Sequence, residues 1–282
     1  SAFLSNANNL RVASIDLSFN KNSLIIGAKQ TLIKEKGVEL IFVGDVMLSR
    51  GVAKKMKMYG NDYPFIDVKD EFKTGDIVFA NLESPITAGR EINSGEMILR
   101  SDPGVENALK NSGISIVSLA NNHSMNFGEK GITDTMNYLS KVGVAFAGAG
   151  RNDVEANKPI FIEKNGIKFA FLAYDEKTFT SASYEASFDR AGIAFAEIKM
   201  MENAVMEAKK RADFVIVSMH AGLEYSDIPT VFQKEFSHHA IDSGAEIVIG
   251  HHHPVVEPIE KYKGKYIFYS LGNFIFDQII SE

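Results

Sequence analysis

The sequence predicts an α/β fold in which β-sheets pack together and are covered by helices. Two observations support this prediction. Short apolar stretches alternate with helix-like stretches, and several of the apolar stretches end on polar side chains that can bind metal. This order is typical of α/β folds, whose ligand sites lie beyond the carboxyl ends of the strands. Two further pairs of strands look antiparallel, which favours a sandwich of mixed sheets over one purely parallel sheet.

Apolar runs and helical spacing give the predicted elements. The strands that end on a metal-capable residue are 38–43, 77–80, 114–120, 214–219 and 246–249. Helices are predicted where apolar residues recur every three or four positions, at 105–111, 130–142, 197–211 and 231–243. The predicted antiparallel pairs are 160–163 with 168–173, across an Asn-Gly turn, and 255–260 with 265–270. The segment 270–278 reads as a core-lining loop whose polar residues could face the site.

The domain organisation predicted from these patterns is simple. Residues 1–37 are weakly patterned, with one apolar stretch at 24–28, and we interpret them as an N-terminal extension or accessory strand. Residues 38–282 show no internal boundary, so we expect one large domain. With 282 residues and 45% hydrophobic content, the chain can bury a substantial core.

Composition excludes several classes of function. The chain has no cysteine, which rules out thiolate catalysis and cysteine-ligated zinc sites. The net charge is −6 and there is no dense Lys/Arg block, so nucleic acid is a poor candidate partner. No apolar run approaches the roughly 18–20 residues of a membrane-spanning helix, and we expect a soluble chain.

The histidines are the most informative residues. Six of the seven lie between Met219 and Pro254, and four of those stand at the ends of predicted strands. Imidazole, carboxylate and amide groups together suit divalent cations. The candidate ligands are Asp45, Glu83, Asn122, His220, His251 and His253. This set is large enough for two metal ions, which together stabilise an oxyanion transition state.

Simpler readings exist for each candidate. Asn122 suits a helix N-cap as well as a ligand, and a lone His220 is more often a core residue. In an extended turn, residues i and i+2 point the same way, so we expect His251 and His253 to face the metals while His252 points aside. His123 is a candidate general acid because its pKa lies near neutrality. His238 and His239, which fall in a predicted helix, are read as ordinary helix residues.

Six motifs, taken in order, resemble those of the CapA family of poly-γ-glutamate capsule synthesis proteins. They are Gly44-Asp45-Val46-Met47-Leu48, Asn81-Leu82-Glu83, Ala120-Asn121-Asn122-His123, His220-Ala221-Gly222-Leu223-Glu224-Tyr225, Ile249-Gly250-His251-His252-His253-Pro254 and Ser270 to Asp277. The resemblance covers about 38–278. The CapA family is similar in fold to the calcineurin-like metallophosphoesterases, which implies a four-layer α/β sandwich with two mixed β-sheets.

The resemblance also implies a site and a role. It implies one or two divalent ions (Mn, Fe or Zn) bound by the six candidate ligands, with His123 as acid and Glu224 as a partner near the site. It implies a metal-dependent hydrolase or transferase in the synthesis, anchoring or cleavage of poly-γ-glutamate, an anionic polymer. Membrane-associated capsule machinery, an extracytoplasmic location and an anchor outside these residues are further implications. Because the sequence stops soon after Asp277, we also expect a C-terminal portion beyond it.

Departures from the expected pattern keep two alternatives open. Phosphoesterases carry Asp-x-His on the first strand, where this chain has Met47, and many relatives have Asp in place of Asn126 and the order Pro-His where this chain has His253-Pro254. One alternative is a metallophosphatase or phosphodiesterase, for which Arg50 and Arg100 are the candidate phosphate-binding residues. The other is a non-catalytic protein that binds or assembles the capsule polymer.

Overall fold

The structure of the chain is a computed structural model. It describes residues 37–224, 226 and 228–277, together with the backbone of 13–16. The apolar stretch at 24–28, Tyr225 and Gln278 therefore lie outside the described residues. No helix among the described residues is long and apolar enough to cross a membrane.

Two six-stranded sheets contain most of the strands. In chain order the strands are β1 (Ala13–Asp16), β2 (Glu39–Val46), β3 (Ile77–Leu82), β4 (Ile116–Ser118), β5 (Ala145–Ala147), β6 (Ala149–Gly150), β7 (Ile160–Lys164), β8 (Ile167–Asp175), β9 (Gly192–Ile193), β10 (Phe214–His220), β11 (Ile247–His251), β12 (Ile259–Tyr262), β13 (Lys265–Phe268) and β14 (Asn273–Ile275). The first sheet has the order β1-β2-β3-β4-β5, with β14 also paired to β2, and the second has the order β12-β13-β11-β10-β8-β7. Strands β6 and β9 form a separate pair.

Both sheets are mixed. The central pairs β2–β3, β3–β4, β8–β10 and β10–β11 are parallel, whereas β1–β2, β7–β8 and β12–β13 are antiparallel. Both antiparallel pairs expected from the sequence are therefore present. The second of these covers only β12 and β13, because residues 255–258 precede the paired region.

Helices cover the outer faces of the two sheets. They are α1 (Arg50–Tyr59), α2 (Lys69–Phe72), α3 (Val105–Ser112), α4 (Gly128–Val142), α5 (Asp153–Ala156), α6 (Ile198–Lys209) and α7 (Val231–Ser243). Buried residues of α1 to α4 pack on the first sheet, and those of α6 and α7 pack on the second. A third apolar cluster fills the space between the sheets. The result is a four-layer α/β sandwich, the architecture that the resemblance to the CapA family implies.

Strand alternation explains how one strand serves two layers. On β2, Leu40 and Phe42 point between the sheets, while Ile41 and Val43 point toward the helices. Successive side chains of a strand point to opposite faces, so both faces of this strand can be apolar only when both are covered. The parallel register then brings the carboxyl ends of neighbouring strands to one edge, where Asp45 lies beside Asn81.

The main difference from the sequence-based prediction lies in the segment 270–278. Instead of a loop, it contains β14, which pairs in parallel with the end of β2. Three residues have no detectable sequence periodicity, and this strand depends on a partner near the other end of the chain. Close backbone approach is built into the pairing, since a Cβ on Gly44 would lie 1.8 Å from the carbonyl oxygen of Gly272. Helix α1 was likewise not predicted from the sequence.

Candidate metal centre

The carboxyl ends of β2, β3 and β10 deliver three potential ligands to one point. Asp45 lies near the end of β2, Glu83 directly follows β3, and His220 ends β10. Ligand atoms of these three residues all lie within 4.8 Å of one another. All three side chains are buried. The topology of the two sheets therefore assembles residues that are far apart in the sequence.

Three further predicted ligands surround this group. His251 pairs with His220 in the register of β10 and β11, and its Nδ1 lies 3.2 Å from Oδ1 of Asp45. The Oδ1 atom of Asn122 lies 3.2 Å from Nε2 of His220. His253 is buried, and its Nδ1 lies 2.9 Å from the carbonyl oxygen of Val255. Nδ1 of His253 thus contacts its own loop, and Nε2 is the ring nitrogen that is available to bind a metal ion.

Several buried atoms of this group have no hydrogen-bond partner within the described part of the chain. They are Oε2 of Glu83, both ring nitrogens of His251 and Nε2 of His253. The close approach of His251 to Asp45 is therefore an electrostatic contact without hydrogen-bond geometry. Buried polar atoms without partners are costly and uncommon in native proteins. A divalent cation with mixed nitrogen and oxygen ligands would satisfy them, so the residues present fit a metal ion.

Asn81 belongs to the same cluster, although the sequence did not single it out. Its Nδ2 donates to Oδ1 of Asp45 at 2.9 Å and lies 3.3 Å from Nδ1 of His220. Its Oδ1 accepts a hydrogen bond from Asn121 at 3.0 Å. Asn81 ends a buried strand in the motif with Glu83, and that position was the available signal. Its contacts with two other strands could not be read from the sequence.

The buried surroundings shift the pKa values of Asp45, Glu83 and His220 away from their ordinary values. Burial raises the pKa of Asp45, but the nearby imidazole of His251, helped by His220 and by the hydrogen bond from Asn81, outweighs burial and brings the pKa to about 2. Burial, together with the charge of Asp45, raises the pKa of Glu83 well above its ordinary value. Burial lowers the pKa of His220 far below its ordinary value. His220 is therefore a neutral imidazole, the form that binds metal.

His123 lies at the edge of the cluster in a defined orientation. Its Nδ1 lies 3.0 Å from Oδ1 of Asn126, and the same oxygen accepts the backbone N–H of Leu99. That backbone donor identifies the atom as an acceptor, so Nδ1 of His123 carries the proton. Nε2 of His123 faces Glu83 at 3.8 Å, and burial lowers the pKa of the ring. This nitrogen is thus placed to exchange a proton near the candidate ligands.

The remaining predicted site residues lie in different surroundings. Glu224 is exposed, and its connection to the site is electrostatic, since its charge raises the pKa of Glu83. Arg50 pairs with Asp277 at 2.5 Å, and its charge lowers the pKa of His123. Arg100 donates to backbone carbonyls, including Thr87 at 2.7 Å, and serves the loop structure.

The expectation that His252 points aside is wrong. Its Nδ1 lies 3.2 Å from Nε2 of His220, and its ring stacks on Phe179 with centroids 4.1 Å apart. The physical reason is its backbone, whose φ of +92° breaks the alternation expected of an extended turn. His238 and His239 are ordinary residues of α7 outside the cluster, as read from the sequence. In the structure they contact Glu260 and Glu202.

A second buried residue was also missed. Asp175 ends β8 beside His220, and neither of its carboxyl oxygens has a hydrogen-bond partner among the described residues. Burial raises its pKa well above the ordinary value, and its charge in turn raises the pKa of Glu83. The strand end thus carries one more carboxyl group than the sequence analysis identified.

Comparison with known proteins identifies relatives of this chain. Residues 39–278 match the model of the bacterial capsule synthesis protein family PGA_cap. The chain is 36% identical over 240 residues to the PGA biosynthesis protein CapA of Bacillus subtilis strain 168, an alignment covering 84% of this chain and 63% of that protein. It is 31% identical over 246 residues to the capsule biosynthesis protein CapA of Bacillus anthracis, covering 85% and 60%. The chain thus spans about three fifths of the length of these relatives.

Solved structures share the fold at low sequence identity. A hypothetical protein from Thermus thermophilus matches with a TM-score of 0.53 at 17% identity, over 83% of this chain and 75% of that one. A protein from Staphylococcus aureus, assigned as a 5′-nucleotidase, matches with a TM-score of 0.50 at 13% identity, over 83% and 48%. These likenesses show that the chain shares its fold with the two proteins.

Proposed function

Because the chain belongs to the PGA_cap family of bacterial capsule synthesis proteins, we propose that it is a metal-dependent hydrolase or transferase acting on poly-γ-glutamate. The observation that carries this proposal is the buried group of Asp45, Glu83 and His220, surrounded by histidine nitrogens that lack partners. A protein that only bound the polymer would have no need of a buried, partnerless set of ligands. The names of the Bacillus relatives supply the substrate class.

The proposed metal site is built from six residues. Asp45, Glu83, His220 and His251 would hold one or two divalent ions, with Asn122 and His253 as further ligands. Such ions supply a positive centre that stabilises developing negative charge and polarises a carbonyl group. Their identity is open among Mn, Fe and Zn.

The chain's own residues would manage the proton. His123 donates its Nδ1 proton in a hydrogen bond to Oδ1 of Asn126. Nε2 is therefore the nitrogen that would take up a proton and transfer it to the departing amine. Burial keeps the pKa of this ring below its ordinary value, so the neutral form dominates at neutral pH. Asn126 holds the ring so that Nε2 faces the candidate ligand Glu83 at 3.8 Å.

Phosphoester cleavage by the same site is the second candidate, and the two arginines considered for it are already engaged. Arg50 pairs with Asp277 and with a backbone carbonyl, and Arg100 is bound to its own loop. We therefore favour amide chemistry on a γ-glutamyl polymer. For the whole protein we also propose that it acts outside the cytoplasm, with the capsule machinery as its partner.

The test uses the metal-loaded chain and two classes of substrate. Poly-γ-glutamate is incubated with protein loaded with Mn²⁺ or Zn²⁺, and chain length and free amino ends are followed; aryl phosphate mono- and diesters are assayed in parallel. We expect shortened or transferred polymer, and a loss of about 10²–10⁴-fold in rate for His123→Ala but not for the surface control His239→Ala. Turnover of phosphoesters alone would move the proposal to the phosphatase. Polymer binding without turnover, unaffected by His123→Ala, would favour a non-catalytic role.

A further inference from the structure

We propose that His252 is a positioning residue that orients two of the metal ligands, Asp45 and His220. This inference rests on the metal site of the proposed function. Its evidence is a set of hydrogen bonds whose directions can be worked out one after another. The backbone of His252 contacts one ligand, and its ring contacts the other.

The first step fixes the orientation of two amides. Oδ1 of Asn121 accepts the backbone N–H of His123, so Nδ2 of Asn121 is the donor group. That group donates to Oδ1 of Asn81 at 3.0 Å. Nδ2 of Asn81 must then be the atom that lies 3.3 Å from Nδ1 of His220. Because an amide NH₂ can only donate, Nδ1 of His220 carries a lone pair.

The second step fixes the histidine pair. With a lone pair on Nδ1, the neutral ring of His220 carries its proton on Nε2. Two acceptors lie 3.2 Å from this nitrogen, Oδ1 of Asn122 and Nδ1 of His252. Metal-binding histidines commonly donate their second N–H to a neighbour that fixes the tautomer and the ring orientation. His252 is placed to serve that purpose, and the lone pair stays on Nδ1 of His220, where a bound ion would replace the hydrogen bond from Asn81.

The third step concerns the backbone of His252. Its N–H donates to Oδ2 of Asp45 at 3.1 Å, the carboxyl oxygen not used by Asn81. This contact occurs with φ at +92°, a left-handed conformation that is rare for any residue other than glycine. Such conformations persist where the surroundings enforce them, and they concentrate at functional sites.

Packing holds the ring of His252 in place. It lies parallel to the ring of Phe179, with a 5° interplanar angle, and edge-on to His220. A solvated loop histidine would have neither contact, and it would gain nothing from a strained backbone. His252 therefore contacts two candidate ligands: its backbone N–H contacts Asp45, and its ring contacts His220.

The test compares three variants in protein stripped of metal. His252→Gly suits the positive φ and keeps the backbone N–H to Asp45, but it removes the ring. His252→Gln restores an acceptor at the end of a flexible chain. The control is His239→Ala, a half-exposed histidine on α7 that pairs with Glu202. Mn²⁺ affinity and stoichiometry are measured by titration calorimetry, and the ring protons and nitrogens of His220 by NMR of histidine-labelled protein.

We expect His252→Gly to bind Mn²⁺ about 10–100-fold more weakly at unchanged stoichiometry, His252→Gln to recover part of the loss, and the control to match wild type. In metal-free wild type, NMR should find the Nε2-protonated tautomer of His220, with its proton resonance shifted in His252→Gly. Equal affinity and an unmoved resonance would overturn the inference. Loss of a whole ion would also overturn it, because His252 would then be a ligand. Wild-type protein that binds no metal would refute the proposed function, while the NMR comparison would still decide the role of His252.

Discussion

The two ends of the same strands are equally buried but chemically opposite. On the amino-terminal side of the site, β2, β3 and β8 place Phe42, Phe79 and Phe171 between the sheets, with Phe79 and Phe171 stacked at 5.8 Å. At their carboxyl ends the same layer contains Asp45 and Glu83, together with buried atoms that lack partners. The apolar end is saturated with contacts and stabilises the fold. The polar end costs stability in the metal-free protein, and such local inconsistency is expected at functional sites.

The largest effect should come from the apolar end. Phe171→Ala removes a fully buried ring from the space between the sheets and should lower the free energy of unfolding by about 3–5 kcal/mol, measured by urea denaturation. Phe188→Ala is the matched control, because that ring is 83% exposed. Similar losses in the two variants would contradict the assignment of this layer as the main source of stability.

Gly250 marks the boundary between the two ends. A Cβ on Gly250 would lie 1.8 Å from the backbone carbonyl oxygen of Tyr269. Gly250→Ala must therefore force β11 away from the backbone that follows β13. We expect a loss of about 1–3 kcal/mol in unfolding free energy and weaker metal binding, because His251 follows directly. Gly89→Ala is the milder control, since the nearest atom that its added methyl would meet is Cδ of the Arg100 side chain, at 3.0 Å. A tolerated Gly250→Ala would show that the boundary is not rigid.

A substitution at the polar end should make the metal-free protein more stable than wild type at higher pH, whereas the substitutions above make it less stable. The pKa of Glu83 is raised in the folded state, so the folded chain holds this proton more tightly than the unfolded chain. Metal-free stability should therefore fall as the pH rises above the ordinary glutamate pKa, by up to about 1.4 kcal/mol for each pH unit in which only the folded form keeps the proton. Glu83→Gln removes this term, so between pH 5 and pH 8 the variant should lose less stability than wild type.

Urea unfolding of metal-free wild type and Glu83→Gln at both pH values measures this difference. Asp175 keeps its own raised pKa in both proteins, so some pH dependence should remain in the variant. Parallel losses of stability in the two proteins would show that Glu83 ionises without cost, and would remove the contrast between the two ends.

The smallest effect is expected far from both ends. Glu202→Ala breaks the surface pair with His239 on neighbouring helices α6 and α7. Exposed ion pairs often contribute nothing measurable, because solvent screens the charges. The urea midpoint and the metal affinity should both match wild type. A clear change in either would indicate that the helical layer is coupled to the site.

Local patterns predicted most of the fold. Helix α7 lies at the predicted residues, and the strands leading to Asp45, Glu83, His220 and His251 were found, because each is a continuous apolar run bounded by polar residues. Strand β14 was missed because its three residues are ordered by a partner distant in the chain. Regular alternation, the rule used for the histidine triplet, fails where one residue adopts a positive φ.

The candidate ligands could be named from the sequence, but their hydrogen bonds could not. The parallel register of separate strands decides that Asn81 lies beside Asp45 and that Asp175 lies beside His220. Neither residue carries a local signal stronger than that of an ordinary strand end. The proton positions on the imidazoles follow from the amide network, which exists only in the folded chain.

Elemental analysis of the chain purified without a histidine tag tests the central claim most directly. Wild type, His251→Ala, Glu83→Ala and the control His239→Ala are compared after equal exposure to Mn²⁺, Fe²⁺ and Zn²⁺. The account predicts one or two tightly held ions per chain in wild type and the control, with metal lost in His251→Ala and Glu83→Ala. Folded wild-type protein that retains no metal, or variants that retain as much as wild type, would contradict it.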